Sequence, residues 1–391
     1  YLSLFFITMD DVRKEFWGDL QVDLFTTNSA VYLANTSLEG LISTNGYKAH
    51  KPILSHPQVG TYTPHSDISF DTKTATKQTL TVDTFEYAAE DIDITEKNQT
   101  PYNLLSHSLE SIRKGLMNRE EQKFLSQISS ANHSISGSPV LVSSSNILDI
   151  LEEAEGKLGA FDAPYETAMR AVVLGPRTVA KLRRAKGERE TNLGDSVLAN
   201  GVVGPWQGWT VVQNNNLPWS ASLKIATQPT EGDTVVISGV TFTFKATPVS
   251  AGDVDIAEAA TARANLKAAI EGGAGSGTAY IELSNRDKFI LRRKRKVTCT
   301  SAEDMVFAGY GDISVSETLT AAADIWSLQQ QKAVFMIRGA IDLVTQFVEL
   351  KVGDKEKGFA DLPKGVIGIG AYMFDDGADL AVSLTQDASG F

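Results

Sequence analysis

The sequence predicts an α+β fold organised around one long helix, and three features predict it. A helical stripe runs from residue 101 to about 131; a long threonine-rich alternating stretch precedes it; and an α/β pattern opens near residue 146, is interrupted by a β-rich segment, and resumes near residue 324.

With 391 residues the chain exceeds the usual single-domain size, and with 42% hydrophobic and 21% charged residues it has the makings of a core rather than the composition of disorder. A formal net charge of −12 argues against a protein whose whole surface neutralises phosphates. The single cysteine, Cys299, leaves no intramolecular disulfide framework and no cysteine-based zinc or iron–sulfur site, which fits a reducing, cytoplasmic origin. The apolar stretch 2–9 is too short for a signal-peptide core, and no run reaches the ~18 apolar residues of a membrane helix, so a soluble protein without membrane association is expected.

Residues 1–55 mix short apolar clusters, among them Phe16 and Trp17, with turn residues and no sustained period, which reads as an extended arm with a short helix. The stretch 56–97 alternates, with Leu80, Val82, Thr84 and Glu86 on one face, as two long strands of a hairpin would. It has too few large apolar residues to be a core, so it is either a flexible flap or a surface meant to lie on a neighbour. Thr100 and Pro101 read as the start of the long helix, whose stripe Leu105, Leu109, Ile112, Leu116 continues to Phe124 and Ile128. At 1.5 Å per residue such a helix is a rod of roughly 45 Å, a spine rather than a packing element.

Residues 146–159 give a second amphipathic helix, MRAVVLGPRTVAKLRRA a buried strand, a Gly175-Pro176 turn and a helix, and TVVQNNNLPWS a strand ended by asparagines and Pro218. From 220 to 323 the composition turns β-rich: a hairpin about Ser238-Gly239, a helix over 256–271 broken by Gly272, then strands TAYIELS, KFILRRKRKVTCT and DISVSETL. This reads as an inserted unit with its own core, and the long strand patterns of 324–391 complete the unit it interrupts.

This order of elements resembles the capsid proteins of tailed phages, the Hong Kong 97 fold. TVVQNNNLPWS looks like that family's strand and asparagine-proline turn, and FADLPKGVIGIGAYMFDDGADLAVSL at 359–384 is similar to its closing strands. The resemblance implies an N-terminal arm (1–55), an extended β-hairpin loop (56–97), a spine helix with its peripheral domain (98–145), an axial domain begun at 146–219, an inserted domain (220–323) and completion of both domains at 324–391. It also implies self-assembly into pentamers and hexamers, with portal, scaffolding and decoration proteins as further partners. By the same resemblance the shell is expected to enclose double-stranded DNA without reading its sequence, with the protein residing in the virion and assembled in the host cytoplasm. The insertion resembles a small module of phage structural proteins and is expected outside the shell.

No catalytic, cofactor or metal site is legible. His50, His56 and His65 are spaced irregularly; no phosphate loop, dinucleotide fingerprint or nucleophile elbow occurs. The one dense basic run, Arg292, Arg293, Lys294, Arg295 and Lys296, lacks the interleaved aromatics of a nucleic-acid platform, and an acidic neighbouring surface is the favoured partner. Some members of the resembled family join subunits through a hairpin lysine and a late asparagine. Lys73 and Lys77 are present, but no asparagine follows Asn285, so no such cross-link is expected. The residues expected at assembly contacts are therefore Phe16 and Trp17 in the arm, Leu80, Val82 and Thr84 in the hairpin, and the basic run 292–296. The rival readings are another virion component, such as a tail-tube or decoration protein, and a soluble α/β enzyme.

Overall fold

A computed structural model describes residues 30–42, 46–55, 57–99, 103–160, 169–187, 208–321, 324–355 and 358–389. After a 3-10 turn at Val31–Leu33 and the short helix α1 (Glu39–Ile42), β1 (Lys48–Leu54) and β2 (Ala75–Thr81) form an antiparallel ladder that sets Lys48 opposite Thr81 and Leu54 opposite Ala75. Residues 57–74 leave the ladder but keep its register. Ser55 N–H donates to Thr74 O at 2.8 Å, Gln58 N–H to Asp71 Oδ2 at 2.7 Å, and at the tip Ser66 N–H to Thr63 O at 3.1 Å. The turn is type II: Pro64 presets φ at its first central position and His65, at φ 69°, supplies the positive φ at its second.

The hairpin expected over 56–97 is thus displaced, running from Lys48 to Thr81. A break at 82–83 sends β3 (Thr84–Ala89) to a different sheet, and the sequence hid it because Val82 and Asp83 keep the period of two. With β4 (Ile92–Asp93), β3 pairs onto β17 (Ala360–Tyr372), which pairs in turn with β16 (Asp342–Asp354). Helix α2 (Ile94–Gln99) leads to the spine, α3 (Leu104–Ser126), extended by a 3-10 turn at Gln127–Ser130. Asn103 caps the spine, its side chain accepting from Ser106 N–H at 3.2 Å; Thr100 and Pro101 lie outside the described residues. Ile112, Leu116, Phe124 and Ile128 of the expected stripe are buried, while Leu105 and Leu109 are half-buried.

β5 (His133–Ser134), α4 (Ile147–Ala160), β6 (Arg170–Leu174), α5 (Pro176–Gly187), β7 (Thr210–Gln213) and β8 (Pro218–Lys224) follow. In the next stretch β9 (Thr234–Ile237) and β10 (Val240–Lys245) turn through Ser238 (φ 57°) and Gly239 (φ 80°), the paired positive φ of a type I′ hairpin. β11 (Asp253–Asp255) lies parallel to β10, and α6 (Ala259–Glu271) stops where Gly272 adopts φ 86°. Helix α7 (Asn285–Lys288) runs into a π-helical turn at Phe289–Lys294, then come β12 (Thr298–Cys299), β13 (Asp304–Tyr310), β14 (Val315–Glu317) and β15 (Trp326–Ile337). α8 (Asp375–Ala378) and β18 (Ala381–Asp387) complete the order.

Two strand expectations fail in this stretch. Residues 278–284 make only isolated bridges through Tyr280, and the basic run begins in the π-helical turn instead of a strand. Apolar runs flanked by basic residues do not distinguish the two states locally. The decision is tertiary: Arg292 donates from Nε to Ile270 O at 2.7 Å and from Nη2 to Ala269 O at 2.8 Å, capping the last carbonyls of α6.

The segment 220–323 has its own apolar cluster, in which Trp219, Phe242, Phe244, Leu266, Ile270 and Phe307 meet, yet it is not detached from the rest. Its strands β12 and β13 extend, through β8, the eight-stranded sheet that continues with β15, β18 and β5, while β11, β10, β9 and β14 form a separate sheet of four. A larger cluster gathers Leu116, Phe124, Val172, Trp209, Phe335 and Leu384 between spine and central sheet.

Candidate assembly surface

The hairpin beyond β1 and β2 buries nothing. Every described residue from 57 to 74 is exposed, including Val59, Tyr62, Ile68 and Phe70, the last at 87%. Four large apolar side chains on a two-legged ribbon are a surface that water disfavours and the chain itself does not cover. The outward face of β3 adds Phe85 and Tyr87, exposed at 58% and 80%.

The expected hairpin contacts Leu80 and Val82 lie elsewhere. They are buried within the chain, packed with Ile42, Ala49, Val344 and Phe374 in a small cluster that anchors the hairpin base. Thr84, half-buried at the start of β3, donates its hydroxyl to Asp83 at 2.9 Å. The hairpin's outward apolar residues were missed because they are scattered singly among Thr, Ser and Asp; the alternation in DISFD at 67–71 was their one sequence signal. Phe16 and Trp17 lie outside the described residues.

The basic run is largely committed inside the chain. Arg292 caps α6 and pairs with Glu282 at 2.8 Å; Arg295 donates to Asp312 O at 2.6 Å, and burial lowers its pKa. Lys296 reaches Glu86 of β3 at 2.5 Å. The Lys294 carbonyl accepts from Gln122 at 2.7 Å and Asn118 at 3.2 Å, both on the spine, while burial lowers the pKa of its ammonium. Arg119 of the spine donates to Arg292 O at 2.9 Å, so spine side chains satisfy the open carbonyl end of the π-helical turn. Arg293 alone of the five is exposed with no ion pair among the described residues.

On the adjoining face of the spine, with Asn118 shared between the two, Glu121, Asn214 and Asn216 form a buried polar node. Glu121 Oε1 accepts from Asn214 Nδ2 and from Ala30 N–H, both at 2.7 Å, and Oε2 accepts from Asn216 Nδ2, which also donates to Asn118 Oδ1 at 2.7 Å. The asparagine turn is therefore a docking device that bolts the central sheet to the spine, and Asn214 and Asn216 are more than turn formers. Among the described residues no cluster of metal-ligating side chains occurs.

A hairpin, a spine helix, a long-stranded sheet over the spine and a second α/β layer with an insertion make up the α+β fold of bacteriophage capsid structures, the Hong Kong 97 fold. In particular, the chain is similar to the structure of Mycobacterium phage Che8, at TM-score 0.59 and 13% identity over 95% of this chain and 96% of that one. It is similar to the capsid structure of the cyanophage P-SCSP1u at TM-score 0.56 and 13% identity, covering 97% and 94% of the two chains. To the head structure of the Helicobacter pylori bacteriophage KHP40 it is similar at TM-score 0.53 and 9% identity, over 100% and 99%. No family model matches the sequence, and no curated protein is similar to it.

Proposed function

We propose that this chain is the major capsid protein of a tailed double-stranded DNA phage, a structural subunit without enzymatic activity that assembles into the icosahedral head. The observation that carries this reading is the hairpin. It projects roughly 55 Å beyond Thr81 at ~3.3 Å per residue, keeps its register to the tip, and covers none of its own apolar side chains. Such an element is stable only against other copies, and full-length similarity of fold to phage capsid structures supports that use. Pentamers and hexamers of the chain form the shell, with the arm and hairpin across adjacent subunits. Portal, scaffolding and decoration proteins are its further partners, the host cytoplasm its place of assembly and the virion its destination. A net charge of −12 suits a wall around dense DNA, since a strongly basic lining would trap the genome through counterion release. Subunits are joined without an isopeptide bond, because Lys73 and Lys77 have no late asparagine to meet.

Negative-stain electron microscopy of the purified protein tests the proposal. Closed polyhedral shells, or rings of five and six, are the expected result. Stacked tubes would point to a tail component, and a monodisperse monomer or dimer at high concentration would overturn the capsid reading.

A further inference from the structure

We infer that the open edge of β16 pairs antiparallel with the same edge of a second copy of this chain, about a two-fold axis at Leu350, so that two sheets become one. The inference rests on the assembly reading and deepens it by naming a contact between rings. Subunits within a ring meet head to tail, whereas an edge that meets itself makes an isologous contact, which therefore joins one ring to another.

Among the described residues the one strand paired with β16 is β17, so β16 stands at the rim of its sheet. Its first part is covered: Leu343 N–H donates to Asn35 O at 3.0 Å and Gln346 Nε2 to Gly46 O at 2.9 Å. Further on the edge is open, and Glu349, Leu350, Lys351 and Val352 are all exposed. Unpaired N–H and C=O groups along such an edge are a template for another strand. Their direction follows from the ladder. Glu90 N–H donates to Pro363 O at 3.0 Å, so Pro363 turns its polar group to the β3 side, and Val352, opposite Pro363, turns its own away from β17. By alternation Leu350 and position 348 do the same.

The sequence along this edge is its own complement. Val-Glu-Leu-Lys-Val at 348–352 reads the same in both directions but for an exchange of charge. With the axis at Leu350, 350 meets 350 and 352 meets 348 of the second copy, and these outward-pointing positions are the pairs that exchange N–H···O bonds. Glu349 then meets Lys351 of the second copy in the non-hydrogen-bonded pairs, where side chains stand closest, and Lys351 meets Glu349. Within one chain these two side chains pair at 2.5 Å while 53% and 63% exposed, so the paired edges place four charges of alternating sign side by side. Lys351 also lies directly opposite Lys364 of β17, a like-charge neighbour that favours a carboxylate on its other side. Moving the axis to 349 or 351 keeps the hydrogen-bond parity but sets Glu349 or Lys351 against itself, so the charges select the register centred on Leu350.

The test mixes a size-tagged Glu349→Cys protein with a Lys351→Cys protein under assembly conditions and exposes them to dioxygen. Cys299 is buried with its thiol pushed up to about 12, so it does not compete. In the inferred register the two introduced thiols sit on residues about 4.5 Å apart at Cα, whereas identical positions of two copies are about 7–8 Å apart. The mixed disulfide dimer should therefore form at least ~10-fold faster than either homodimer. In parallel, Glu349→Lys and Lys351→Glu proteins should each assemble at least ~10-fold more slowly than the parent, and an equal mixture of the two should come within about 3-fold of it, because each copy then answers the other's charges. A charge pair that matters only within one chain is not rescued by mixing. Shells with mixed disulfides no faster than the homodimers would overturn the inference and leave the capsid reading standing. Mixed dimers at the expected rate without shells or rings would support the inference and overturn the capsid reading. Rapid coupling of Lys351→Cys to Ile68→Cys, with none to Glu349→Cys, would assign the edge to the hairpin of another copy and overturn the inference.

Discussion

Glu121 of the spine accepts a 2.7 Å hydrogen bond from Asn214, 93 residues further along, at a site closed to solvent. With Ala30 N–H and Asn216 on the same carboxylate, three donors depend on one acidic side chain. A buried donor left without an acceptor costs ~1–3 kcal/mol, so Glu121→Ala should destabilise the subunit by at least ~3 kcal/mol, and Glu121→Gln, which turns an amide towards a donor, by ~2 kcal/mol. Urea-unfolding midpoints at unchanged slope check this; a Glu121→Gln midpoint equal to that of the parent would refute the node.

Glycines separate by what surrounds them. A Cβ on Gly370 would stand 2.7 Å from Thr81 O and one on Gly377 2.0 Å from Ala340 O, both backbone atoms that cannot swing aside. Alanine at either is expected to cost ~2–4 kcal/mol through overpacking and backbone shift. Gly156, inside α4 with nothing within 4 Å, should gain ~0.5–1 kcal/mol as alanine. Thermal unfolding of the three variants gives the order, and a destabilised Gly156→Ala would contradict it.

Asp342 is buried beside Asp376, and burial first, then that neighbour, raise its pKa to about 6 against the pull of Lys51 and the Asn35 amide. A carboxyl that holds its proton more tightly when folded contributes stability at low pH and loses it as pH rises through the folded value. Between about pH 4 and 6 this group should therefore remove ~2 kcal/mol, and Asp342→Asn should remove that loss. Denaturant unfolding of both proteins at pH 4 and pH 7.5 measures the difference. Equal pH dependence in the two would show that Asp342 titrates normally.

Cys299 is held from reaction by burial and by Glu271, which together push its thiol up to about 12. The native protein at pH 8 should react with a thiol reagent at least ~100-fold more slowly than the unfolded chain, and Cys299→Ala should leave assembly unchanged. Labelling at the unfolded rate without denaturant would show the site to be open.

The sequence by itself determined the order of elements. The spine's buried stripe from Ile112 to Ile128, the Gly175-Pro176 turn, the Ser238-Gly239 hairpin and the stop at Gly272 were legible because each depends on neighbours within a few residues. So was the hairpin's want of a core of its own, through its low apolar content, which the exposure of every described residue from 57 to 74 bears out. Only the tertiary structure decided which strand pairs with which. Leu80 to Glu86 keep one alternating period across a break that pairs Leu80 with Ala49 of β1 and Glu86 with Ile367 of β17, and period alone cannot reveal a change of partner. The basic run became helical because α6 offered carbonyls to Arg292, a contact between residues more than twenty apart in the chain. The three asparagines read as a turn, but the purchase of Asn214 and Asn216 on Glu121 depends on the spine lying beside them, which no local pattern encodes.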